Sequence, residues 1–229
     1  MNQSPRPDWK PGDRIASPVE SWESIDPTEV DAHTMYKLII GSVVPRPIAF
    51  VSTCSANGVG NLAPYSFFNG LSSNPPCVMI SVGVSREGGQ QKDTLRNILE
   101  TKEFVVNSAN EWMIEAVVHC AANYPYGVDE MKKVGLTPLP SQRVNPSRVK
   151  EAAVQLECRL YDTMQIGDGS PGSSTVVVGE IVMAHVFSDA YLQGRIDFDK
   201  IKSVARLGGF GYGKVTDLFD IPVPRVSDK

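Results

Sequence analysis

The sequence predicts a mainly β fold, a barrel with a few peripheral helices. Three observations carry the prediction. Runs of β-branched and aromatic residues at 48–54, 77–84, 154–166 and 174–187 outnumber the helical patterns. Asn57-Gly58, directly after the first run, supplies the positive φ of a hairpin turn. Strands and helices do not alternate regularly, which argues against a doubly wound sheet. With 229 residues, 41% hydrophobic and 21% charged, the chain has a globular composition and can bury roughly 70% of its unfolded surface without staples.

The elements follow in order. Residues 1–29 carry several prolines and no apolar period, which marks an extended arm, and residues 30–229 are read as one domain. After Asp31, the spacing of Met35, Leu38 and Ile39 predicts a short amphipathic helix that Gly41 can end. The run 48–54 then returns through 60–66 as a hairpin. Pro47 and Pro64 lack a ladder donor, so they belong at strand ends, edges or bulges. Asn74-Pro75-Pro76 breaks the chain before the buried strand 77–84, and the glycine-bearing loop 86–91 leads to Asp93, expected as the cap of a helix through Leu99. Ser108 and Glu111 have the spacing of a capping box, opening a helix with Met113, Ile114, Val117 and Val118 turned to the core. Residues 124–146 read as a surface excursion, and the two long β runs after them as a second hairpin.

The formal net charge of −4 leaves no basic footprint for nucleic acid. The four cysteines are scattered, without metal-ligand spacing, which suggests a reducing compartment. The polar, Pro-rich start has no apolar core of a secretory signal, and no run is long enough to span a bilayer. The expected location is the cytoplasm, without a membrane or nucleic-acid partner.

Two groups of residues point to chemistry. Lys92, Asp93 and Thr94 stand at a helix start, where free backbone N–H groups and the positive end of the helix dipole favour an anion such as a phosphate. An ordinary capped surface helix explains them as well. Around Arg46, Pro47, Ile48, Ser52 and Thr53, and again around Asn61, Ala63 and Ser66, the hairpin combines apolar walls with backbone groups released by proline, as a planar hydrogen-bonding ring requires. A plain barrel hairpin has the same pattern.

In order, PRPIAFVST, the Asn-Gly turn, NLAPYSFFN, NPP, KDTLRNI and FVVN resemble the FMN-binding flavin reductase-like family, which includes flavoredoxins and small-component flavin reductases. VDEMKKVGLTP, VVGEIVMAHV and RLGGFGY resemble its later segments. The resemblance implies a homodimeric split β-barrel with FMN, bound or exchanging, at or near the subunit interface. It implies a phosphate at Lys92 and Thr94 with Ser66 nearby, and a ring and ribityl chain along residues 48–53 and 61–66. Ser81 and Gly83 would line the same cavity. Arg206, with Gly208 and Gly209, matches a C-terminal motif that touches flavin or closes the dimer. The arm and the loop 86–90 depart from the pattern.

The implied function is an NAD(P)H-dependent flavin reductase, possible as the reducing partner of a monooxygenase. The alternatives are an FMN electron carrier that docks a redox protein without nicotinamide activity, and a non-catalytic structural dimer. Neither G-x-S-x-G nor H-E-x-x-H nor a Walker A sequence occurs, and the glycines of GGFGYG read as a tight turn. No catalytic residue and no metal ligand is assigned. His119 reads as a helix-end cation and His185 as structural, while Trp112 and the Tyr124-Pro125-Tyr126 loop read as packing or cover for a ring.

Overall fold

The computed structural model describes residues 3–84 and 91–224. The loop 86–91 therefore lies, up to Gln90, outside the described residues. Helix α1 (Ala32–Ser42) is capped by Asp31, whose carboxylate accepts the Thr34 N–H at 2.6 Å. Gly41 does not end this helix. It lies inside it, where Gly208 approaches so closely that a Cβ on Gly208 would stand 3.3 Å from the Gly41 Cα. Strands β1 (Ala49–Cys54), β2 (Gly60–Tyr65), β3 (Phe68–Ser73), β4 (Pro76–Gly83) and β5 (Glu103–Ser108) follow, with α2 (Asp93–Thr101) between the last two. After β5 come α3 (Ile114–His119), α4 (Glu130–Lys133) and the short pair β6 (Pro138–Leu139) and β7 (Arg148–Val149). The long hairpin β8 (Val154–Ile166) and β9 (Ser174–Val186) precedes α5 (Phe198–Ile201) and two further small ladders.

Seven strands form one antiparallel sheet in the order β2-β1-β5-β8-β9-β4-β3. In a flat sheet β1 and β4 would lie roughly 19 Å apart, four strand spacings. Yet Ala49 and Val51 of β1 share one core with Val78, Ile80 and Val82 of β4, together with Phe104, Cys158, Val177 and the α2 residues Leu95 and Ile98. The sheet is therefore curled around that core, as the mainly β reading requires. A second core joins Phe50 and Leu62 to Met113, Val117 and Met131, which seats α3 and α4 on the outer side of the β1–β2 hairpin. Phe104 fits because β9 carries Gly179 beside it, and a Cβ there would run into the ring.

Pro64 sits in β2, the sheet's edge strand, where its missing N–H leaves no ladder bond unmade. Pro47 lies just ahead of β1. Four local expectations need correction. The cap of α2 is Lys92, not Asp93, and Asp93 is the first helical residue, with Arg96 at 3.8 Å from its carboxylate. Ser108 caps nothing, because its hydroxyl donates to the Asn110 Oδ1 at 2.8 Å and accepts the Val154 N–H, and a 3₁₀ turn at Glu111–Met113 precedes α3. Val118 is exposed, since a six-residue helix has only one inner face. Strand β3 was absent from the expected elements because its largely exposed FNGLSS has no β-branched residue.

Candidate functional site

A cavity of about 400 Å³ opens between β2, the start of α2 and the segment 120–125, with Glu130 of α4 in its wall. Its formation follows from the edge position of β2. Leu62 points its N–H out of the sheet, and the Glu130 carboxylate accepts it at 2.9 Å, which docks α4 against the strand. Asn61, Ala63, Pro64 and Tyr65 of β2 then form one wall. Opposite stand Gln91, Lys92, Asp93 and Thr94, and Ala121, Ala122, Tyr124 and Pro125 supply small and apolar surface. Lys92 reaches across, its Nζ donating to Asn123 Oδ1 at 3.1 Å.

Behind the wall lies a buried polar network. Asn61 Nδ2 donates to the hydroxyls of Thr94 at 2.9 Å and Thr53 at 3.2 Å, and Asn97 Nδ2 donates to Thr53 at 3.0 Å. The Tyr65 hydroxyl is bonded to Thr94 as well, and burial pushes its phenol up to about 12. Such a network rigidifies the junction of β1, β2 and α2 because every broken link would leave a buried polar group unpaired.

The electrostatics are mixed. The Lys92 side chain has no acceptor to cap α2, so the first-turn N–H groups stay available at the cavity. Two carboxylates line the cavity. Burial raises Asp93, with Arg96 and Lys92 acting against it. Burial also raises Glu130, where the N–H groups of Leu62 and of Glu130 itself oppose the shift and Asp93 and Asp129 add to it. Burial pushes the Cys120 thiol up to about 12, so this lining residue is a neutral thiol at pH 7.

The structure thus brings together Asn61, Ala63, Lys92, Asp93 and Thr94, with Thr53 directly behind them. Gly83 joins Lys92 in an adjoining cavity of about 180 Å³. Pro47 and Ile48 lie elsewhere, lining an apolar cavity of about 370 Å³ with Phe68, Leu156 and Val204. Ser52 donates to the Ser147 carbonyl at 2.6 Å, and Ser81 gives its N–H to Phe67. Arg46 is 5% exposed and its guanidinium serves the frame, donating to the carbonyls of Ile40, Val43 and Leu207 and to Ser66 Oγ. Arg206 closes its own turn through Gly209 and Gly211. His119 ends α3 as expected, and His185 lies 2.7 Å from the buried Glu157. Tyr65 falls within the expected stretch 61–66, whereas Glu130 and Cys120 were missed as lining residues. Only the Asp-Glu step of VDEMKK hinted at Glu130, and α4 is too short to show a period.

The fit to FMN can be tested on this geometry. The volume lies within the range of cofactor sites, the helix start and Lys92 suit a phosphate, and Ala63, Pro64 and Tyr65 suit a ring. Asp93 and Glu130 are the one feature that a phosphate must overcome.

Residues 40–200 match the model of the flavin reductase like domain. A protein from Aquifex aeolicus is 42% identical over 188 residues, 81% of this chain and 92% of that one. Among solved structures, nitrilotriacetate monooxygenase component B from Bacillus cereus superposes with a TM-score of 0.84 at 38% identity, covering 89% of this chain and all of that one. The Pseudomonas fluorescens 2-nitrobenzoate 2-nitroreductase NbaA gives 0.79 at 33% identity, covering 88% and 96%.

Proposed function

This chain belongs to the flavin reductase-like family and has its split-barrel fold, and from that premise we propose that it is an FMN-dependent oxidoreductase that uses NAD(P)H to reduce flavin. The observation that carries the reading is the cavity in which an edge strand, a helix start with free N–H groups and Lys92 meet. Lys92 and the first turn of α2 would hold the flavin phosphate, and Asn61, Ala63 and Tyr65 would border the rest of the molecule. FMN held there would supply the redox chemistry, as the acceptor of a hydride from the nicotinamide. The chain's own residues bind and orient it, and the network of Thr53, Asn61, Thr94 and Asn97 keeps that wall rigid.

Delivery of reduced flavin to a monooxygenase partner is the role we assign to it. The 38% identical structure, named a monooxygenase component, supports this. A homodimer belongs to the same reading, supported by α1: none of its residues is buried, and Tyr36, Leu38 and Ile39 expose an apolar face. We expect a cytoplasmic protein; among the described residues no helix is long and apolar enough to cross a membrane.

The test is direct. Purified protein titrated with FMN should develop a bound-flavin spectrum and then oxidise NADH or NADPH. Flavin binding without nicotinamide turnover would favour an electron carrier, and no flavin binding would sink the proposal.

A further inference from the structure

An anion-binding cavity that carries two carboxylates poses a charge problem. Glu130 is 6% exposed and held at Leu62, so it cannot swing into solvent, and Asp93 occupies the first turn that the phosphate would face. Lys92 is the one cation lining the cavity among the described residues. A phosphate brings up to two more negative charges, its second pKa lying near 6.

We propose that Glu130, with Asp93 beside it, determines which charge this cavity accepts: a flavin phosphate enters together with one proton, which the carboxylate pair takes from solvent. A flavin without phosphate enters without it. The inference rests on the flavin reading above and deepens it, making Glu130 a specificity-determining residue.

The groups facing Glu130 leave the pair as the site of uptake. From α2 come Lys92 and Asp93, with Arg96 on the far side of Asp93. From β2 comes Tyr65, and from the end of α3 Cys120, both neutral at pH 7. On its own turn Asp129 is already paired with Lys132 at 3.1 Å. Burial raises both Glu130 and Asp93, and an anion placed beside them raises them further. The sign follows: affinity for the phosphate is highest where the pair is protonated and falls as pH rises through the pKa of the free pair, by up to tenfold per pH unit for one proton.

The experiment is calorimetric titration of the purified full chain with FMN and with riboflavin at pH 5.5 to 8, in two buffers of different ionisation enthalpy. Uptake of about one proton with FMN and none with riboflavin is expected, and Glu130→Gln, whose amide oxygen still accepts the Leu62 N–H, should lose the uptake. Asp93→Asn, on another element, repeats the test where Glu130→Gln fails to fold. FMN binding without proton uptake, or unchanged uptake in both variants, would overturn the inference and leave the flavin reading standing. No binding of either flavin would overturn both.

Discussion

Replacing Lys92 by alanine probes the proposed phosphate contact. Lys92 is half-buried at the start of α2, and its ammonium lies 3.1 Å from Asn123 Oδ1, so it is already positioned over the cavity rather than free in solvent. A hydrogen bond to a charged group contributes about 1.5–3 kcal/mol. Half exposure places Lys92 in the lower part of that range, about 1.5–2 kcal/mol, or roughly 10–30-fold in affinity. The assay is quenching of flavin fluorescence on titration with protein, run in parallel for FMN and riboflavin. FMN should weaken by that factor and riboflavin by less than about threefold, and added salt should narrow the difference because the contact is partly screened. Equal losses for the two ligands would refute a phosphate at Lys92. Thr94→Ala is a poorer probe, because the Thr94 hydroxyl also ties Asn61 to Tyr65 and its loss disturbs the frame.

Three other outcomes follow from the frame itself. Thr53→Val removes the acceptor shared by Asn61 and Asn97 and should cost about 2–4 kcal/mol in urea unfolding; a loss below about 0.5 kcal/mol would show that the network is not a stabilising unit. Gly179→Ala should lower stability by about 1–3 kcal/mol through overpacking against Phe104, and relief by Phe104→Leu in a double-mutant cycle would identify the clash as the cause. Burial alone would raise the Glu157 carboxyl, but the N–H groups of Gln142 and Arg143 and the His185 ring outweigh it and hold it below its ordinary value. A depressed folded pKa means stability present above roughly pH 4.3, the unfolded value, and lost as pH falls through the folded one. Melting curves from pH 3 to 7 should therefore show an acid-side loss that is smaller in Glu157→Gln; an identical acid limb would place the effect elsewhere.

The sequence was most readable where a residue has few places to go. Pro64 called for an edge, a strand end or a bulge, Asn57-Gly58 for a turn and the two long β runs for a hairpin, and each was met. Lys92 and Thr94 were legible as a helix start, although which residue caps it depended on one residue of offset that local propensity does not fix. Glu130 was out of reach for a different reason. Its role arises from a hydrogen bond to a residue 68 positions away, at a strand whose edge status is a property of the whole sheet. Arg46 shows the converse: a cation beside a candidate ring site, whose guanidinium is taken up by carbonyls of α1 and the turn after Arg206.

That same guanidinium sets an order on synthesis. Its contacts to Ile40, Val43 and Ser66 lie within reach once the first hairpin has been made, but Leu207 lies 161 residues later. At about 5–20 residues per second, roughly 8–30 s separate the appearance of the two on a ribosome. During that interval the Arg46 socket lacks the carbonyl of Leu207. A turn made late in synthesis is thus what locks the first helix in place.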